Sequence, residues 1–232
     1  MMKTPFMAAM VYISCTPLLF SQNTCEGYLP FEKDFSFEQT HYDARGKVSS
    51  ISHSIVAAVE PTRDGSRALI HSKLIDEKGQ EIGQRDFQIS CKGGVFRVNV
   101  NDLLNPGMLD AYQSMDITAC GEGLQFPAEL QVDQSLPGGS TVLEVASNGT
   151  AVVTLTYTVK DRKVEAREQI TTSAGTFDCF RLRETVDYQT MLLTHTFTTV
   201  SWFARNVGLV KQETYDQKGK LSGWMELTKT GE

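Results

Sequence analysis

The run Val142-Leu-Glu-Val-Ala-Ser-Asn148-Gly149-Thr-Ala-Val-Val-Thr-Leu-Thr-Tyr-Thr-Val159 decides the fold class. On both sides of Ser147-Asn148-Gly149 apolar and polar residues alternate, the period of a strand with one face in a core. Asn and Gly both accept the positive φ values of a tight turn, so two alternating runs joined by them read as a β-hairpin. Val153, Leu155, Tyr157 and Val159 then share a face.

The same pattern continues in both directions. Residues 164–171, 177–188, 191–203, 209–215 and 221–228 are expected strands, rich in the Val and Thr that suit half-buried pleated surfaces. Before the hairpin, residues 48–59 form a strand candidate with Ile51, Ile55 and Val59 assigned to one face. Ala68, Ile70, Ser72 and Leu74 alternate in the next run, followed by Phe87, Ile89 and Cys91 and by 95–100. Turn residues separate them at 61–65, 76–79 and 92–94. A D-x-x-G-[KQ] turn recurs at 43–47, 76–80 and 216–220. Its Gly takes the left-handed position and its Asp bonds the turn amides. A calcium loop would need further oxygen ligands where basic residues stand instead.

One helix is expected, near 102–115, with Leu104, Met108, Ala111 and Met115 on one face and Pro106 at its first position. Its methionines read as packing against a sheet rather than as a lid over lipid. The chain is therefore expected to be all-β, an antiparallel meander forming curved sheets as an open barrel or sandwich. Two lobes, 25–118 and 124–232, would meet near residues 116–124.

Residues 1–21 differ from the rest. Lys3 is followed by the apolar run 5–20 and by Ser21, the pattern of a cleaved signal peptide. No later segment of about 18 apolar residues could span a membrane as a helix. The expected location is thus the periplasm or cell envelope. The formal charge is −6, or −7 once Lys3 is removed, and no basic block occurs. This argues against nucleic acid and an anionic membrane surface as partners, since both need clustered cations.

Five cysteines are present, and Cys25, Cys91, Cys120 and Cys179 follow the leader. In an exported chain four cysteines permit two disulfides. Cys25–Cys91 is the favoured bridge, which loop entropy would make worth about 4 kcal/mol. Zinc would want closer spacings, so no metal or cofactor is expected.

No nucleophile elbow, phosphate loop or H-E-x-x-H pattern occurs. Glu168, Glu184 and His195 do fall on the apolar phase of their strands, beside Val164, Ala166 and Ile170, Phe180, Leu182 and Val186, and Leu193 and Phe197. Buried titratable groups can mark a site, so these three are the candidate ligand-binding residues. The structural alternative weighs more heavily: a β-bulge turns a side chain outward, and Arg162, Arg167, Arg181 and Arg183 stand ready to pair the carboxylates.

Several stretches carry a family likeness: Cys25-Glu-Gly-Tyr28-Leu-Pro-Phe31, Tyr42-Asp-Ala-Arg-Gly-Lys47, Asp161-Arg-Lys-Val-Glu165, Ile170-Thr-Thr-Ser-Ala-Gly-Thr-Phe-Asp-Cys-Phe180, Trp202-Phe-Ala-Arg-Asn-Val-Gly-Leu-Val-Lys211 and Tyr215-Asp-Gln-Lys-Gly-Lys-Leu221. In order, they resemble the exported Bacteroidota proteins called TapB-like, which are related to a broader envelope-associated family of unknown function. The resemblance implies an exported β-rich protein and carries over no catalytic residue.

The expectation for function is a non-catalytic envelope protein that binds a partner or an apolar ligand through a curved β surface. A hydrolase using the carboxylates or the histidine, and a structural or assembly factor of the envelope, are the alternatives the sequence leaves standing.

Overall fold

Among the described residues, period-two alternation is realised through fourteen strands, all antiparallel. The computed structural model describes residues 25–98, 116–121, 123–148, 150–190 and 192–231. The expected leader (1–21) and helix (102–115) lie outside them. The strands are β1 (Ser36–Asp43), β2 (Val48–Thr62), β3 (Gly65–Asp76), β4 (Glu81–Lys92), β5 (Val95–Val98), β6 (Asp116–Gly121), β7 (Leu124–Pro127), β8 (Ser135–Leu136), β9 (Gly139–Ser147), β10 (Thr150–Thr172), β11 (Gly175–Gln189), β12 (Thr194–Ala204), β13 (Gly208–Tyr215) and β14 (Leu221–Thr230). They form one sheet in the order β6-β9-β10-β11-β12-β13-β14-β1-β2-β3-β4-β5-β7, with β8 beside β10. The terminal strands β6 and β7 do not pair, so the sheet is open.

The expected turns close as their residues dictate. Asn148 takes φ 51° between β9 and β10. In each D-x-x-G-[KQ] turn, Asp Oδ1 accepts two backbone N–H bonds. Asp43 bonds Arg45 and Lys47 (2.8 and 3.0 Å), Asp76 bonds Lys78 and Gln80 (both 2.8 Å), and Asp216 bonds Lys218 and Lys220 (both 2.9 Å). The Asp43 carboxyl is thereby drawn down to about 2, chiefly by the Arg45 side chain and then by these amides.

The sheet curves until its two halves share a core. Val56, Ile70, Ile89, Phe96 and Leu124 from one half meet Val159, Val164, Leu182 and Phe203 from the other in one buried cluster. Residues on both sides of 118–124 thus enter the same sheet and the same core. The segment from Cys25 to Phe31 bridges β4 and β5 to β11 and the turn after β12 as a strap. Cys25 is bonded to Cys91 of β4. Tyr28 meets Phe180 edge-on at 5.6 Å, Phe31 meets Phe96 at 5.6 Å, and the Asn206 N–H donates to Gly27 O at 2.7 Å. Gly27 is required there, since a Cβ would stand 2.4 Å from the Phe96 ring. Among the described residues Cys120 and Cys179 have no disulfide partner, the first exposed and the second buried. Burial, then Asp178 and Glu168, pushes the Cys179 thiol up to about 12, which leaves it inert.

Closure centres on Arg162, one of the most completely buried side chains. The register between β10 and β11 skips from Lys160↔Thr185 to Lys163↔Arg183, and Asp161 sits at φ 52°. This bulge turns Arg162 into the core between Val159 and Val164. Its Nε lies 2.5 Å from Glu184 Oε1, and Nη1 donates to the carbonyls of Gln125 (2.9 Å) and Pro137 (2.8 Å). Its guanidinium carbon stacks 4.5 Å from the centre of the Phe126 ring. One side chain therefore joins β10, β11, β7 and the segment after β8.

Removing one partner strands the other charge in the core, so Arg162→Ala and Glu184→Ala should each lower unfolding free energy by about 3–5 kcal/mol. Arg162→Met with Glu184→Leu should recover most of that loss. Urea unfolding monitored by tryptophan fluorescence decides; a cost below about 1 kcal/mol for either single change would remove the pair from this role.

Candidate functional site

The concave side of the sheet holds two cavities that share Arg85 and Gln212 in their walls. The first, about 450 Å3, is lined by His41, Ser50, Ser52, Ser72, Leu74, Gly83, Gln84, Phe197 and Thr214 besides the shared pair. The second, about 190 Å3, is lined mainly by Leu29, Pro30, Phe37, Phe87, Ile89, Val98, Leu124, Phe126, Phe203 and Leu209, with Gln39 and Glu184 among them. The strap of residues 25–31 contributes Leu29 and Pro30, and so walls the apolar cavity.

The inward positions come from strict alternation. On β2, Ser52 and Ser54 are buried, while Ile55 is 40% exposed. The face assigned to Ile51 and Ile55 from sequence is therefore the outer one. A register shift between Val56 and Ala58 then brings Val59 back to the core. The inward serines bond one another, Ser54 Oγ to Ser72 Oγ at 2.9 Å. Gln39 Nε2 donates to Leu209 O, and Gln212 Nε2 to Ser201 Oγ, both at 2.9 Å. Arg85 packs with its guanidinium carbon 5.4 Å from the Phe87 ring centre. Burial, and after it the charge of Arg85, holds the His41 imidazole below its ordinary value. Tyr157 is likewise pushed up to about 12, by burial and then by Glu184.

The three residues singled out from sequence do not converge. Glu184 is buried on the concave face, lines the apolar cavity, and is held by Arg162. Glu168 pairs with Cys179 in the register and so faces the opposite side. There it accepts bonds from Trp202 Nε1 (2.8 Å) and Arg181 Nη1 (3.3 Å). The register shift between Val164 and Ala166 makes this difference. His195 is exposed near the start of β12, opposite Tyr188. Sequence reasoning passed over His41, Arg85, Gln39 and Gln212. Their signal was a polar residue on the inward phase two to five positions from a D-x-x-G-[KQ] turn, in strands whose inward phase otherwise turns apolar.

Residues 33–227 match the family described as DUF3108-like. The chain belongs to that family. No curated protein matches the sequence. Two solved structures resemble this DUF3108-like chain. One is a Bacteroides fragilis protein named as exported and as having a YmcC-like fold, with TM-score 0.72 and 20% identity, covering 90% of this chain and 100% of its own. The other is a Parabacteroides distasonis protein named as a lipoprotein, with TM-score 0.75 and 22% identity, covering 89% and 99%. At these identities the likeness is one of fold.

His41 gives the site a pH signature. An unfolded imidazole titrates near 6.5, and the folded one below it. The unfolded chain thus takes up a proton that the folded chain resists. The stability His41 contributes is complete above about 6.5 and is lost as pH falls toward the folded value. His41→Gln should flatten the fall in stability between about pH 7 and 5, read from urea midpoints. An unchanged slope would mean that the imidazole is not held neutral.

Proposed function

We propose that this DUF3108-like chain is an exported, non-catalytic envelope protein that holds an apolar ligand on the concave face of its sheet. The observation that carries the reading is the apolar cavity lined by Phe37, Phe87 and Leu209, adjoining a larger recess with which it shares Arg85 and Gln212. Small-molecule sites are concave, mostly apolar and fitted with a few convergent polar groups, at roughly 300–1,000 Å3. The apolar cavity alone is smaller than that, so a whole ligand uses both. Export is supported by the leader pattern of residues 1–21 and by the Cys25–Cys91 disulfide, a bond that persists in oxidising compartments. The names of the two structural neighbours and the TapB-like motifs agree with it. A hydrolytic reading gains nothing from the geometry: Glu168 and Glu184 face opposite sides, and Glu184 is neutralised by Arg162.

The test is displacement of an apolar fluorescent probe, together with native mass spectrometry of the protein isolated from its host envelope. Saturable probe binding is expected. Phe87→Glu, which puts a carboxylate in the cavity wall, should weaken it by at least about tenfold, since a desolvated charge there costs more than 1.4 kcal/mol. A wild-type protein that binds no probe saturably and leaves the host without a bound molecule would sink the reading.

A further inference from the structure

Antiparallel order puts five hairpin turns at one end of the sheet, at 147–150, 190–193, 216–220, 43–47 and 76–80. The larger recess lies at this end: His41, Leu74, Gly83 and Thr214 of its wall each stand within three residues of one of these turns. Four of the turns carry the usual Asp, Asn and Gly, but the fifth reads Thr190-Met-Leu-Leu193. Its backbone is satisfied within the turn. The Thr190 N–H donates to Leu193 O at 2.8 Å, and Thr190 Oγ1 accepts from the N–H of Leu193 (3.1 Å) and of Leu192 (3.4 Å). The leucine side chains are left outside, Leu192 91% and Leu193 60% exposed.

A scattered exposed leucine needs no explanation, but these are not scattered. Of the seven large apolar side chains exposed among the described residues, Ile82, Val152, Leu192 and Leu193 lie within three residues of a turn at this end. Ile82 precedes Gly83 and Leu193 stands four residues before Phe197, and both Gly83 and Phe197 wall the recess. Apolar side chains thus stand on two sides of its rim. The β12–β13 ladder begins at Thr198↔Tyr215, so residues 194–197 carry the leucine tip up to about 13 Å past it. The charge of this end nearly cancels: the three aspartate-led turns carry Arg45, Lys47, Lys78, Lys218 and Lys220 against Asp43, Asp76, Glu77 and Asp216.

We propose that this end docks on a lipid bilayer, with Leu192 and Leu193 in the boundary between head groups and acyl chains and the charged turns at head-group level. The recess then faces the membrane. A specific protein interface buries about 800 Å2 per partner, and two leucines on a narrow convex tip ringed by charged turns do not supply an apolar area of that size. A fluid bilayer needs no matching socket, and binding at its interface scales with the apolar area inserted. Near-neutral charge makes the docking apolar rather than electrostatic, in keeping with a chain that has no basic block. The docking is carried by the leucine tip and stands whether or not the cavities hold a ligand.

The experiment is flotation of residues 22–232, which contain every described strand, with vesicles of phosphatidylcholine at ~1 mM lipid, a range that burial of two leucines reaches. Part of the protein is expected to float, and about as much at high salt as at low. Leu192→Asp with Leu193→Asp should lower the partition at least about tenfold, with an unchanged urea midpoint. Ile55→Asp, at an exposed position remote from these turns, should leave it unchanged. Leu192→Trp should keep the binding and add tryptophan emission that lipid brominated on its acyl chains quenches. A wild type that does not float overturns the proposal and leaves the tip to a protein partner. Flotation that survives the double aspartate change, or that requires anionic lipid and vanishes in high salt, overturns it as well.

Discussion

Putting an arginine inside the protein constrains everything around it. A guanidinium cannot shed its charge, so its interior position has to supply a counter-charge and acceptors. Glu184 supplies the first, and the carbonyls of Gln125 and Pro137 the second. Glu184 and Pro137 stand beside Arg162 through the β10–β11 and β8–β10 ladders, whereas Gln125 lies on β7, which no ladder joins to β10. Satisfying Nη1 of Arg162 therefore means bringing the β7 end of the sheet onto the face of β10 and β11, while Nη2 stays buried with no hydrogen-bond partner among the described residues. Such a pair adds little net stability compared with a well-packed apolar replacement. What it fixes is the relative position of the two halves, because carbonyls and carboxylate must meet one rigid planar fork. Phe126, stacked on the guanidinium, also lines the apolar cavity.

Much of the fold was legible because period two is a strong signal. The Asn148 hairpin, the three aspartate-led turns and the antiparallel meander all follow from residue chemistry at short range, and the Cys25–Cys91 bridge, 66 residues apart, is the pairing the sequence reading favoured. Bulges were not legible. A bulge changes the face of every later residue yet leaves composition unaltered. One at Asp161-Arg162 turned an arginine inward, and one between Val164 and Ala166 sent Glu168 outward. The site was partly legible and was misread in one instructive place. In β2 the sequence reading put Ile51, Ile55 and Val59 on one face, whereas Ser52 and Ser54 on the other face are buried and Ile55 is exposed. Where local pattern and tertiary structure disagree in this way, function is a common cause. Here the disagreement falls on the wall of the recess.

The similarity to two solved structures at 20% and 22% identity fits this picture. A sheet asks each position only for a face and a volume, so many sequences satisfy the same curvature. Turn residues are more constrained, because positive φ and amide bonding admit few side chains. The recurring Asp-x-x-Gly turns mark the end of the molecule where three hairpins stand in a row. The strap across the opposite end is constrained in another way, by the close approach of Gly27 to Phe96.

The covalent tie of that strap has a mechanical consequence. Cys25 and Cys91 enclose the strap, β1, β2, β3 and most of β4 in one covalent loop. Tension applied to the chain on the N-terminal side of Cys25 crosses the sulfur bridge and enters β4, where Cys91 is paired with Ser66 of β3 and Phe96 of β5. The enclosed residues cannot be drawn out in sequence. A pull that would otherwise peel the strap and then β1 away from its neighbours acts instead on two ladders at once. A tether on that side of the molecule would thus load the sheet in shear, while the wall formed by Leu29 and Pro30 stays slack.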